Sequence, residues 1–152
     1  MASYIYLQTS LFYLCVYTFR DVYVPFFFST ETSELGHSRG ICLLINNVPN
    51  LTVEEKKLSD LFEYLSFHVE VRKGLNMVEM YTVAQEFAEK DHSHFDMFAV
   101  VVMTISGQGN EIYCADGRNA CLEHVMMEYT TTRCPSLQAK PKLFFKIGRA
   151  HV

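Results

Sequence analysis

The longest apolar run of residues 39–146, Phe98-Ala-Val-Val-Val-Met-Thr-Ile105, most constrains the fold. A run of this kind, free of alternating polar residues, is what a strand covered on both faces requires. Ile41–Ile45 is a shorter run of the same type, and Leu143-Phe144-Phe145 is another, launched by the turn Lys140-Pro141-Lys142. Phe67-His-Val-Glu-Val71 alternates apolar and polar, which predicts an edge or half-covered strand. Between the strands lie helical stretches. Thr52 and Glu55 have the spacing of a capping box, and Val53, Leu58, Leu61, Phe62 and Leu65 follow at near-helical spacing. Asn76 is placed to cap a second helix, with Met77, Met80, Tyr81, Ala84, Phe87 and Ala88 as its buried stripe. Glu111–Cys114 with Asp116-Gly117 reads as a small hairpin, and Asn119–Tyr129 as a third helix. This order predicts an α/β protein with a mostly parallel sheet, right-handed crossovers and helices on both faces.

The 152 residues suffice for one domain with a real core. A net charge of −4 and the lack of a basic run give no reason to expect nucleic acid as a partner. The five cysteines (Cys15, Cys42, Cys114, Cys121 and Cys134) are odd in number and lack CxxC spacing. They predict neither a disulfide framework nor a zinc site, but reduced thiols in a cytoplasmic protein. No metal or other cofactor is expected.

Residues 1–28 differ in kind from the rest, being crowded with Tyr, Phe, Val and Leu. Gln8, Thr9, Ser10, Arg20 and Asp21 interrupt what would otherwise approach the roughly 20 apolar residues of a membrane span. The segment lacks a basic n-region and a small-residue cleavage site, so it is a poor signal peptide. The expectation is a segment foreign to the fold, such as a mispredicted exon, with a membrane anchor as the weaker alternative. Residues 29–38 form a polar linker, and the domain proper runs over residues 39–146.

Three blocks carry a family resemblance: Arg39-Gly-Ile-Cys-Leu-Leu-Ile-Asn-Asn47, Glu89-Lys-Asp-His-Ser-His-Phe-Asp96 with the run after it, and Cys134-Pro-Ser-Leu-Gln-Ala-Lys-Pro-Lys-Leu-Phe-Phe145. In this order they resemble the large-subunit region of the caspase family (peptidase C14 type). The flavour is that of the death-receptor initiators (caspase-8 and caspase-10 type) and of the pseudo-caspase FLICE-like inhibitory protein. The resemblance implies a three-layer α/β/α fold truncated to the large-subunit half. The small subunit, which in that family supplies further strands, the dimer interface and much of the substrate groove, has no counterpart here. Four strands with an exposed final edge would make a sticky, marginal sheet.

By the resemblance, catalysis needs a cysteine thiolate, a histidine and a cation for the substrate's aspartate. The family histidine falls at Ile105 or Ser106, depending on which side the count is made from, with Gly107 as a remnant of the oxyanion-binding glycine. The family cysteine, read in the Gln-Ala-Cys-X-Gly signature, falls at Arg149. The arginine-bearing loop has no room between Asn47 and Thr52, and Arg39 and Arg72 sit elsewhere. No catalytic or substrate-binding residue is therefore intact. His92 and Cys134 match structural positions, and His124 lies on the third helix. Residues 147–152 match no family segment and have the form of a translated sequencing adapter. Two readings follow. One is a non-catalytic regulator of apoptosis that pairs with an initiator caspase. The other is a fragment of an aspartate-specific cysteine endopeptidase. A fragment anchored in a membrane by residues 1–28 is a third and weaker one.

Overall fold

The computed structural model describes residues 3–8, 12–18, 38–105 and 109–149. Among these residues, eight strands and three α-helices run in the order β1 (Ser3–Gln8), β2 (Phe12–Thr18), β3 (Gly40–Asn46), α1 (Thr52–Tyr64), β4 (Phe67–Lys73), α2 (Met77–Glu89), β5 (Met97–Ile105), β6 (Glu111–Tyr113), β7 (Asn119–Cys121), α3 (Leu122–Met127) and β8 (Lys142–Arg149). Six strands make one mixed sheet in the order β1-β2-β8-β5-β3-β4. The four from β8 to β4 are parallel, and β1 and β2 join antiparallel. β6 and β7 form a separate hairpin.

The alternation of side chains across the sheet splits the core in two. On β3 and β5, Ile41, Leu43, Ile45, Phe98, Val100 and Val102 pack with α2 and α3. Cys42, Leu44, Ala99, Val101 and Met103 pack with α1 on the opposite face. This is the three-layer arrangement that the uninterrupted apolar runs demand. Gly40 opens β3 where the backbone of Met97 approaches so closely that an added Cβ would lie 1.9 Å from its carbonyl oxygen.

Several local expectations are corrected. Thr52 and Glu55 form no capping box, because α1 starts at Thr52 itself, so that Leu51 is the cap and offers no side-chain bond. The buried side of α1 runs through Glu55, Leu58, Phe62 and Leu65, leaving Val53 and Leu61 exposed. The third helix begins at Leu122, not Asn119, because residues 119–121 pair with β6 instead. The final strand does not end at Phe145. It continues through Ile147 and Gly148 to Arg149, and seven register pairs with β2 cover the edge expected to be open. Residues 3–8 and 12–18 form two strands of this sheet. By contrast, β5 lies in the sheet interior and β4 at its edge. Asn76 caps α2 in a full capping box with Glu79.

Candidate functional site

In an open α/β sheet, ligands bind outside the carboxyl ends of the strands, where the winding reverses. Here β3 leads outward to β4, while β5 leads the opposite way to β8, so the reversal falls between β3 and β5. The polar groups at that point are bound to one another. Asn46 accepts from the Val48 amide at 3.0 Å and donates to Glu55 at 3.2 Å. The other oxygen of Glu55 pairs with Lys73 at 3.0 Å. Asn47 accepts from the Leu75 amide at 2.9 Å and donates to the Tyr113 carbonyl at 3.3 Å. Thr104 Oγ1 accepts from the Tyr113 amide at 2.8 Å. These bonds tie the ends of β3, β4 and β5 to the β6–β7 hairpin. Sequence reasoning gave Asn46, Lys73 and Thr104 no role, and read Glu55 only as the capping-box partner of Thr52. The paired asparagines directly after an apolar run were the available signal.

Ile105 closes β5 and is 38% exposed. The parallel register sets it opposite Arg149 on β8, about 4.8 Å away as neighbouring strands lie. The two positions that the resemblance assigned to histidine and cysteine, counted from different motifs, therefore meet at one point of the sheet. Ser106 and Gly107, the other expected positions, lie outside the described residues. Neither isoleucine nor arginine can act as nucleophile or proton acceptor at neutral pH.

The remaining candidates are dispersed. His92 lies at the amino end of the sheet, next to the start of β5, and is fully buried. Its Nε2 is 2.8 Å from the Phe87 carbonyl oxygen, and burial pushes its pKa down. Its backbone amide donates to Ser136 Oγ at 3.1 Å, and its carbonyl accepts from Lys140 Nζ at 2.8 Å. The residue clamps a loop. Cys134 is fully buried among the α2 and α3 side chains, with its sulfur 3.9 Å from Ser136 Oγ. His124 is exposed on α3, its ring 6.3 Å from that of Tyr81. Arg72 is held by Glu86 at 3.1 Å, and Arg39 precedes β3 at the amino end. Among the described residues no histidine nitrogen bonds a cysteine sulfur. Cys42, Cys114, Cys121 and Cys134 are free thiols, and burial pushes Cys42 and Cys114 away from the reactive thiolate. No group of three or more His, Cys, Asp or Glu side chains among the described residues could hold a metal ion. None of the helices among them is long and apolar enough to cross a membrane.

Comparison with known proteins gives a match of residues 39–146 to the caspase domain of peptidase C14. Human caspase-9 is 32% identical over 123 residues, covering 70% of this chain and 30% of that protein. Human caspase-10 is 29% identical over 116 residues, covering 70% and 22%. The mouse CASP8 and FADD-like apoptosis regulator is 31% identical over 112 residues, covering 70% and 22%. The chain thus spans less than a third of the length of these relatives.

Proposed function

The chain belongs to the caspase family, and from that membership we propose that it is a non-catalytic caspase-like module that regulates apoptosis by pairing with an initiator caspase. The observation that carries this is the pairing of Ile105 with Arg149 at the carboxyl edge of β5 and β8. The scaffold that would bring a base and a nucleophile together is kept, and neither group is there. The short path from Asn47 to the start of α1 supports the same reading. An aspartate carboxylate entering a dry pocket without a cation faces several kcal/mol of desolvation. Lys73, whose register partner is Asn46 at the end of β3, is already paired with Glu55. Similarity to a relative named as an apoptosis regulator points the same way. The setting is cytoplasmic, in death-receptor signalling.

A second reading, a piece of an aspartate-specific cysteine endopeptidase, is favoured by the 32% identity to human caspase-9. One experiment separates the two. The purified chain is given an Ile-Glu-Thr-Asp peptide alone, then mixed with an active initiator caspase. We expect no cleavage above buffer by the chain alone, co-elution with the caspase and an altered rate of that enzyme. Cleavage by the chain itself, abolished by thiol alkylation, would establish the endopeptidase. Neither association nor a rate change would dispose of the pairing.

A further inference from the structure

β8 is secured twice over, by unlike means on its two sides. On one side it pairs with β5 from Lys142 to Arg149. Rings also grip it from both faces of the sheet: Phe144 lies 5.9 Å from Tyr129, and Phe145 lies 5.9 Å from Phe62 of α1. On the other side stands β2, antiparallel, with β1 beyond it. These two strands precede the matched residues 39–146. Within the sheet the pair is bonded to the rest of the described chain through β8 alone. A two-stranded hairpin is marginal by itself in water, so β1 and β2 depend on β8. The reverse does not hold, because β5, Phe62 and Tyr129 keep β8 in place without them.

We propose that the β1–β2 hairpin is an internal plug, a displaceable strap that blocks the outer edge of β8 against strands from other molecules. Phe12–Thr18 run in register against Leu143–Arg149 and take up the ladder on that side. No second strand can pair there while the hairpin is seated. Residues 19–37 tether it to β3. Such a tether holds a segment at an effective concentration on the order of 1 mM, so a weak competitor is excluded and only a strong one enters. The excluded strand is of stated chemistry: extended, uncharged and rich in aromatic and β-branched residues, as β2 is in Phe-Tyr-Leu-Cys-Val-Tyr-Thr. Because the asymmetry of support leaves β8 anchored, exchange at this edge is a local opening and not an unfolding of the core.

The test uses the full chain carrying Cys15→Ser, in three forms: this parent, an opened form with Val16→Pro, and a closed form with Leu14→Cys and Ile147→Cys oxidised to a disulfide. Leu14 and Ile147 are register partners, and directly opposed residues of an antiparallel ladder lie within disulfide range. β2 is paired on both sides, so a proline at position 16 removes a ladder donor whichever way its amide faces. The probe is a fluorescent peptide with the sequence of residues 12–18 and the same Cys15→Ser change, followed by anisotropy. The opened form should bind it about tenfold or more tightly than the parent. The oxidised closed form should not bind it, and reduction should restore the parent's level. Equal binding by all three forms would place the peptide elsewhere, the outer side of β1 included, and overturn the plug. An opened form that binds no more tightly than the parent, with hydrogen exchange in β3 and β5 unchanged, would overturn it too. Loss of protection in β3 and β5 on Val16→Pro would make the hairpin an integral part of the core, and the proposal would fall.

Discussion

Two residues carry more of the structure than their size suggests, and each makes a sharp prediction. At Gly40 an added Cβ would lie 1.9 Å from the Met97 carbonyl oxygen and 2.8 Å from its carbon. Both are backbone atoms in the ladder between the two central strands, so no side chain can swing away. Gly40→Ala should therefore cost about 3 kcal/mol or more, at the upper end of what overpacking does, read as a fall in the urea midpoint. His92 makes the second. Its ring is buried and bonded to the Phe87 carbonyl through Nε2, and Nδ1 has no hydrogen-bond partner. Burial lowers its pKa below the ordinary 6.5, and the cationic Lys140 and Lys90 act the same way, opposed by Asp91 and by the bond to Phe87. The unfolded chain then binds the proton more readily than the folded one. Stability from this residue is complete above pH 6.5 and is lost as pH falls from there towards the lowered folded value. Urea midpoints at neutral and mildly acidic pH should fall further for wild type than for His92→Gln. An equal fall in both would place the sensitivity elsewhere.

At the scale of the element, the two helix starts separate what sequence spacing can and cannot tell. Both have a capping residue and a glutamate three positions on. Asn76 and Glu79 exchange bonds at 2.9 and 2.8 Å and close the box. Thr52 is already inside α1, and Glu55 turns instead to Asn46 and Lys73. Asn76→Ala should cost about 1 kcal/mol, the usual value of an N-cap, while Thr52→Ala should change the urea midpoint by only a few tenths. Equal losses would mean that Thr52 caps after all. What decides between them is tertiary: Glu55 is drawn into the carboxyl edge of the sheet, and no local pattern announces that. The same division runs through the rest of the fold. β5 and α2 were legible because their apolar periods are long and clean. The start of α3 was not, because residues 119–121 satisfy their backbone groups on β6. Nor was the place of β1 and β2, since their pairing with β8 joins opposite ends of the chain and depends on which edge is free. At the candidate site the strand-end positions could be counted from sequence, but the network of Asn46, Asn47, Glu55 and Lys73 could not.

For the whole molecule, the question is whether the geometry of the strand ends and the recognition of a substrate are separable. The sheet register fixes Ile105 opposite Arg149 whatever side chains stand there. Reintroducing chemistry at those positions, as an Ile105→His and Arg149→Cys double variant, would place an imidazole and a thiol on adjacent parallel strands. An imidazole beside a thiol lowers the thiol's pKa, so this cysteine should alkylate roughly tenfold faster at neutral pH than in the Arg149→Cys single variant. Cleavage of an aspartyl peptide should not return with it. On the reading proposed above, recognition of the carboxylate needs a desolvated cation from the connection between β3 and α1, which carries Val48, Pro49, Asn50 and Leu51. The cation across from it, Lys73, is held by Glu55 at 3.0 Å. Iodoacetamide kinetics and a peptidase assay on the same preparation read the two halves independently. Fast alkylation without cleavage would assign the missing specificity to the loop. Cleavage by the double variant would show that the missing pair alone had silenced the scaffold. Alkylation no faster than in the single variant would mean that the two strands do not bring these positions together in solution.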